Sequence, residues 1–325
     1  APSGRRIDAR DVLGFSAAQV RNRTRLNKAW QSWDAIPPED RLVDPGHWVE
    51  VTSFDGERSA LCPAFLCYGR FGDLAHGDAS LNVDSNGCAA GPTPAEARTR
   101  ALLELAERDA TGIWWHNGTV RPRLDTRRMP DLHASIEQHR RDSGRRLWML
   151  DISSFRSART VAAVSCEDGG ERLAFGFGAA FGLDDAARSA FLEVVQTEAA
   201  MIAHDMRRAH SNHATMSDGD CRMARWKRFA DVRNFRFAIG TPPESTDAHG
   251  VGTTEDLLAE IRVACGQDVW FADLTRPDIG VPAAKAICSG LSHFKLRWGC
   301  GRNAAPQSVS TRTRGRLSHA RKLLI

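Results

Sequence analysis

Two stretches of this 325-residue chain hold the side chains best suited to chemistry. The first is SNGCAAGPTPAEARTRALLELAERDATGIWW, residues 85–115. With 3.6 residues per turn from Pro94, Glu96, Arg100, Glu104 and the Glu107/Arg108 pair fall along one side of a helix. Ala97, Ala101, Leu102, Leu105 and Ala106 supply apolar neighbours. Glu104 and Glu107 suit Mg2+ shared with a polyphosphate, because Mg2+ takes hard oxygen ligands and keeps several from phosphate and water. Arg108 suits a phosphate oxygen, or orients a carboxylate by bidentate bonding. The same residues also suit a solvated face held by Glu96–Arg100 and Glu104–Arg108 pairs, each worth a few tenths of a kcal/mol.

The second stretch centres on Glu193, with Gln196 one turn later and Ser189 one turn earlier. Phe191, Leu192, Val194 and Val195 surround it, which threatens the carboxylate with partial burial. A buried carboxylate needs a cation or hydrogen-bond donors. Metal or phosphate duty and a structural salt bridge satisfy that need equally.

The elements that must position these groups follow from local patterns. Thr93, Pro94 and Glu96 read as an N-cap, a first-position proline and a capping-box acid, starting the first helix. Residues 145–153, 159–166 and 171–180 are short β-rich runs suited to neighbouring strands. Asp184 or Asp185 reads as the cap of a second long helix. A polar connection rich in Gly and His follows it. Residues 255–264 read as a helix, 268–274 as a strand, TRPDIG as a turn and VPAAKAIC as a strand. Ahead of all this, residues 16–33 are helical in pattern, followed by Pro-, Gly- and Asp-rich connections. Interleaved helices and strands predict an α/β or α+β class with a mixed sheet.

Composition bounds the rest. Charged residues are 26% and aromatics 7%, an ordinary globular balance. The net charge of +4 favours anionic ligands without requiring nucleic acid. Much of the excess lies in the tail, at Arg302, Arg312, Arg314, Arg316, Arg321 and Lys322, which reads as solvated. Aromatics do not interleave with bases, so no nucleic-acid partner is expected. The eight cysteines form no CxxC pair, so neither a zinc site nor a disulfide framework is signalled. Reduced, mostly buried thiols in a cytoplasmic protein are the expectation. His116, His204, His210 and His213 form no recognised ligand set. No apolar run approaches the ~18 residues of a membrane span, and the start lacks a signal-type apolar core.

Four separated motifs, in order between about residues 8 and 298, resemble the YcaO family. They are the SNGCAAGPT turn with its ExxER helix, the RRLWMLDIS strand, the LAFGFGAAFG strand with its ExxQ helix, and WFADLTRPDIGVPAAKAICSGLSHF. LGFSAAQVRNRTRLN, Trp114–Trp115 and LTRPDIG resemble one branch, the azoline-forming cyclodehydratases (D-proteins) of streptolysin-S-type clusters. The resemblance implies ATP and Mg2+ as cofactors, with Glu96, Glu104, Glu107, Arg108, Glu193 and Gln196 at the nucleotide. Within that set it makes Glu104, Glu107 and Glu193 the metal ligands. It also implies a ribosomal precursor peptide as substrate, a ThiF-like leader-binding partner, a flavin-dependent dehydrogenase and a possible homodimer. On this reading residues 1–80 are a leading segment, 81–300 the catalytic core and 301–325 a basic tail.

The chain departs from the family pattern in places. Residues 1–84 contain no GKG-type turn and no SxxxExxER helix, and Ala1 stands in place of an initiator Met, so a missing N-terminal portion is expected. Ser189 stands where an arginine is usual, and Pro92 where Asn is common. The ending RGRLSHARKLLI lacks the proline-rich segment of azole-forming members. These departures leave open thioamide or amidine formation, and a degenerate protein that binds peptide or partner without turnover.

Overall fold

The computed structural model describes residues 5–29, 35–71, 85–210, 217–243 and 252–292, with positions 297 and 302. In chain order the described strands are β1 (Arg5–Arg6), β2 (Trp48–Thr52), β3 (Ser59–Pro63), β4 (Cys88–Ala90), β5 (Arg146–Asp151), β6 (Arg159–Cys166), β7 (Ala174–Ala180), β8 (Trp270–Asp273) and β9 (Ala283–Ile287). The helices are α1 (Ala9–Leu13), α2 (Ala17–Arg21), α3 (Arg23–Ala29), α4 (Glu39–Val43), α5 (Ala64–Cys67), α6 (Pro94–Asn117), α7 (Pro130–Ser143), α8 (Leu183–His210), α9 (Asp218–Phe229) and α10 (Thr254–Cys265). The class is α+β, with two sheets and long helices.

The chain divides into two compact units. Of the described residues, one comprises those up to Gly112 and from Thr254 on, the other those from Ile113 to Thr253. The first contains a six-stranded sheet in the order β1-β3-β2-β8-β9-β4, antiparallel except where β1 runs beside β3. Its core gathers Ile7, Leu42, Val51, Phe65, Trp270 and Ile287.

The second unit is built on the antiparallel sheet β5-β6-β7. Every residue of the central strand β6 is buried, because both faces of the sheet are covered. Alternation decides which face each residue serves. Ala162, Val164 and Cys166 join Trp114, Trp115, Phe175, Phe177 and Trp226 in one core. Val161 and Ala163 join Met149, Ala190 and Val194 in the other. The FGFGA run of β7 uses the same period. Phe175 and Phe177 point into the aromatic core, while Gly176 and Gly178 lie against α8. A methyl at Gly176 would stand 2.1 Å from Val194 N, and one at Gly178 2.3 Å from Ala186 O. Only glycine lets the backbones of β7 and α8 come this close.

Most expected elements fall where the pattern put them, with instructive differences. Residues 16–33 do not form one helix. α2 ends at Arg21 with Asn22 as its C-cap, whose side chain donates to Ala18 O at 2.8 Å, and α3 begins at Arg23; residues 30–34 lie outside the described set. Asp184 and Asp185 are not caps but first-turn residues, since α8 already begins at Leu183. Their charge still suits the helix N-terminus. The connection after α8 includes a further helix, α9, capped by Ser217 through Asp220 N–H. Its polar sequence hid its apolar anchors, Trp226, which is 5% exposed, and the partly buried Met223.

Candidate functional site

The helix start at Thr93 forms as the sequence indicates, with α6 opening at Pro94. Thr93 Oγ1 accepts from Glu96 N–H at 3.2 Å and donates to the Glu96 carboxylate at 3.1 Å. Glu96 is therefore an exposed acid fastened to its own cap. Arg100 does not pair with it; its guanidinium donates to Ala90 O at 3.3 Å. Arg98, one residue off the charged side, reaches Phe54 O at 2.7 Å and Thr52 Oγ1 at 3.1 Å.

Two turns further along, the same helix enters the interior of the first unit. Glu104 is half-buried, and Glu107 and Arg108 are only 6% and 8% exposed. Arg108 Nε donates to Glu104 Oε1 at 2.8 Å, and Arg108 Nη2 stands 2.9 Å from Glu107 Oε1. One guanidinium thus bridges both carboxylates. The solvated-face expectation fails here. Burying such charges costs several kcal/mol per ion unless partners offset it, and here the guanidinium and the two carboxylates are one another's partners.

Asp109, which the sequence reading passed over, completes the run and is fully buried. It accepts from Ser292 N–H at 2.8 Å and pairs with Arg302 at 2.5 Å. Arg302 was expected in a solvated tail; instead it answers this acid. The signal was available: consecutive charged residues on a helix sweep about 100° each, so Glu107, Arg108 and Asp109 cannot all share one exposed face. The remaining tail residues lie outside the described set.

In the second unit, Glu193 and Gln196 line a cavity of about 370 Å³ with Thr197, Arg222, Phe175 and Phe177. The Glu193 carboxylate accepts from Phe177 N–H at 2.7 Å. This is the donor that a partly buried acid requires. Ser189 packs against β7, where its Cβ would lie 2.7 Å from a methyl added at Gly178.

The donor chemistry can be tested against a metal. Among the described residues, no three His, Cys, Asp or Glu side chains cluster closely enough to hold an ion by themselves. His204 is buried and contacts Asp220 O, and His213 lies outside the described set. A closed transition-metal cage is thus absent from the described residues. Glu104 and Glu107 fit a different ion. Mg2+ is commonly held by one or two carboxylates, with phosphate and water completing its octahedron.

A family model described as "YcaO cyclodehydratase, ATP- and Mg2+-binding" matches residues 4–292. An uncharacterized protein of Methanothermobacter thermautotrophicus is 25% identical over 287 residues, covering 81% of this chain and 72% of that protein. Among solved structures, a heterocyclase in complex with substrate and cofactor aligns with a TM-score of 0.74 at 27% identity, over 91% of this chain and 40% of that one. The heterocyclase TruD aligns with a TM-score of 0.71 at 26% identity, over 91% of this chain and 42% of that one. The chain therefore spans about two fifths of the length of these heterocyclase chains.

Proposed function

The chain belongs to the YcaO cyclodehydratase family, described as ATP- and Mg2+-binding, and from that premise we propose that it is an ATP-dependent enzyme forming azolines in a ribosomally made precursor peptide. The observation that carries the reading is the buried Glu104–Arg108–Glu107 bridge inside the family-matched segment. Internal charge of this density suits a site where charge is transferred, and poorly suits a helix that only packs.

In this reading Glu104 and Glu107 hold Mg2+, and Arg108 neutralises a phosphate oxygen or keeps the two acids oriented. Bound there, Mg2+ supplies charge neutralisation for phosphoryl transfer. Glu96 stands at the mouth of the same helix as a further nucleotide contact. On the family resemblance Glu193 is a further proposed metal and nucleotide ligand, with Gln196 beside it, and within its own unit Phe177 N–H fixes the Glu193 rotamer. A Cys, Ser or Thr side chain of the peptide attacks the preceding amide carbonyl. The resulting oxyanion would take the γ-phosphoryl group of bound ATP with release of ADP, and loss of phosphate together with the amide N–H proton would leave the C=N bond of the ring. A ThiF-like leader-binding protein and a flavin-dependent dehydrogenase are the proposed partners.

The test is phosphate release from Mg·ATP in the presence and absence of a Cys/Ser/Thr-containing precursor peptide, with the peptide mass followed in parallel. Peptide-dependent phosphate release with loss of one water per ring is the expected result. Binding of peptide with neither turnover nor mass change would replace the enzyme by the peptide-binding reading.

A further inference from the structure

Cys265 is the last residue of α10, and Cys288 directly follows β9. No sequence motif links them, yet their sulfurs lie 3.7 Å apart. The segment after β9 turns back at Gly290, φ +89°, where an added methyl would stand 3.0 Å from Cys265 Cβ. The glycine lets this segment press against the end of α10, holding the two thiols face to face.

The two sulfurs differ in environment. Cys288 is 6% exposed, whereas Cys265 is only half-buried. The hydrogen bond from Cys288 favours the Cys265 thiolate and brings its pKa down to about 7. That same bond and burial push the Cys288 thiol up. Arg302 reinforces the Cys265 thiolate, and Asp109 opposes it. A half-buried thiol that ionises near neutrality, touching a buried one, is the arrangement of an attacking and a resolving cysteine. No third His, Cys, Asp or Glu is clustered with the pair among the described residues, which leaves two-thiol chemistry rather than a metal site.

We propose that Cys265 and Cys288 form a reversible dithiol–disulfide centre that exchanges with small-molecule disulfides. The Cys265 thiolate attacks one sulfur of a disulfide RS–SR, forming Cys265–S–SR and releasing RS⁻. Cys288 then gives its proton to the released thiolate and attacks the Cys265 sulfur. The protein disulfide closes, and the second RS⁻ leaves to take up a proton. Two protein thiols are oxidised by two electrons, and RS–SR is reduced to two RSH. The closed bond joins the end of α10 to the segment whose Ser292 N–H holds Asp109.

The experiment equilibrates the folded protein in oxidised and reduced glutathione, quenches with acid, blocks free thiols with N-ethylmaleimide and maps peptides by mass spectrometry. The expected result is loss of two of the eight thiols, in one Cys265–Cys288 cross-linked peptide that dithiothreitol restores. Cys288→Ser should stop at a glutathione adduct on Cys265, and Cys265→Ser should lose neither thiol. Cys62 and Cys67, at 0% and 1% exposure, should stay reduced and report an intact fold in both variants. Retention of all eight thiols in the wild type would overturn the proposal, as would a lasting glutathione adduct on Cys265 without the cross-link. The wild-type measurement decides the matter even if a serine variant fails to fold.

Discussion

Glu107, Arg108 and Asp109 are consecutive, charged and all under 9% exposed, and each is answered differently. Arg108 bridges two glutamates, whereas Asp109 is held by Ser292 N–H and Arg302. The first pair of acids is the proposed metal site, and Asp109 is the post that fixes the helix beneath it. Glu104→Gln, at a half-buried position, should lower peptide-dependent ATP turnover about 100-fold or more, the size expected for removing a charge-stabilising group. Its melting temperature should stay close to that of the wild type. Glu107→Gln should lose turnover similarly and also destabilise by about 1–3 kcal/mol in a denaturant titration, because it weakens the answer to a buried guanidinium. Wild-type turnover in either variant refutes the assignment. Cys265 offers a pH-dependent readout. Its thiolate is the nucleophile, so alkylation by iodoacetamide should rise with pH, reach half its plateau near the value of about 7, and fall away in acid. A half-point near the ordinary thiol value of 9.0 would remove the thiolate advantage.

At the scale of elements, the decisive contact is α8 on β7. The alternation Phe175-Gly176-Phe177-Gly178 puts rings on one face and bare backbone on the other, so one short strand anchors an aromatic core and also accepts a long helix. That approach brings Phe177 N–H within 2.7 Å of the Glu193 carboxylate. Gly178→Ala should cost about 1–3 kcal/mol in equilibrium denaturation, as overpacking does, since the methyl meets backbone rather than a movable side chain. Phe177→Ala should cost more, about 3–5 kcal/mol, because it empties the space beside Trp114. If Gly178→Ala proves neutral, the close approach is not what positions α8.

At the scale of the molecule, residues 113–253 are inserted in the sequence between the two segments that make the other unit. Each unit has its own core, and α6 passes from one to the other, carrying its acids in the first and Trp114–Trp115 in the second. The family's ligands are ATP and Mg2+. Since only the folded chain offers the site, Mg·ATP at a hundred-fold excess over Kd should add about 2.7 kcal/mol to stability. The upward shift in melting temperature should vanish with EDTA, and ATP without metal should give little. An unchanged melt in saturating Mg·ATP would count against nucleotide binding by this chain.

Much was legible locally. Thr93 as cap, Pro94 as first helical residue, the three strands of the second unit and the glutamates of α6 all follow from periodicity and end signals, which act within a few residues. Four motifs in order also sufficed for the family. The sequence could not say that Arg302 answers Asp109, that Phe177 N–H caps Glu193, or that Cys265 meets Cys288, because these pairs lie 193, 16 and 23 residues apart and their proximity comes from packing. Nor could it say which acids on one helix face stay in water. Glu96 and Glu107 look alike in a helical projection, yet one is exposed and the other 6% exposed. Burial depends on what the rest of the chain lays over a face, and it is burial that makes a carboxylate strong enough to matter.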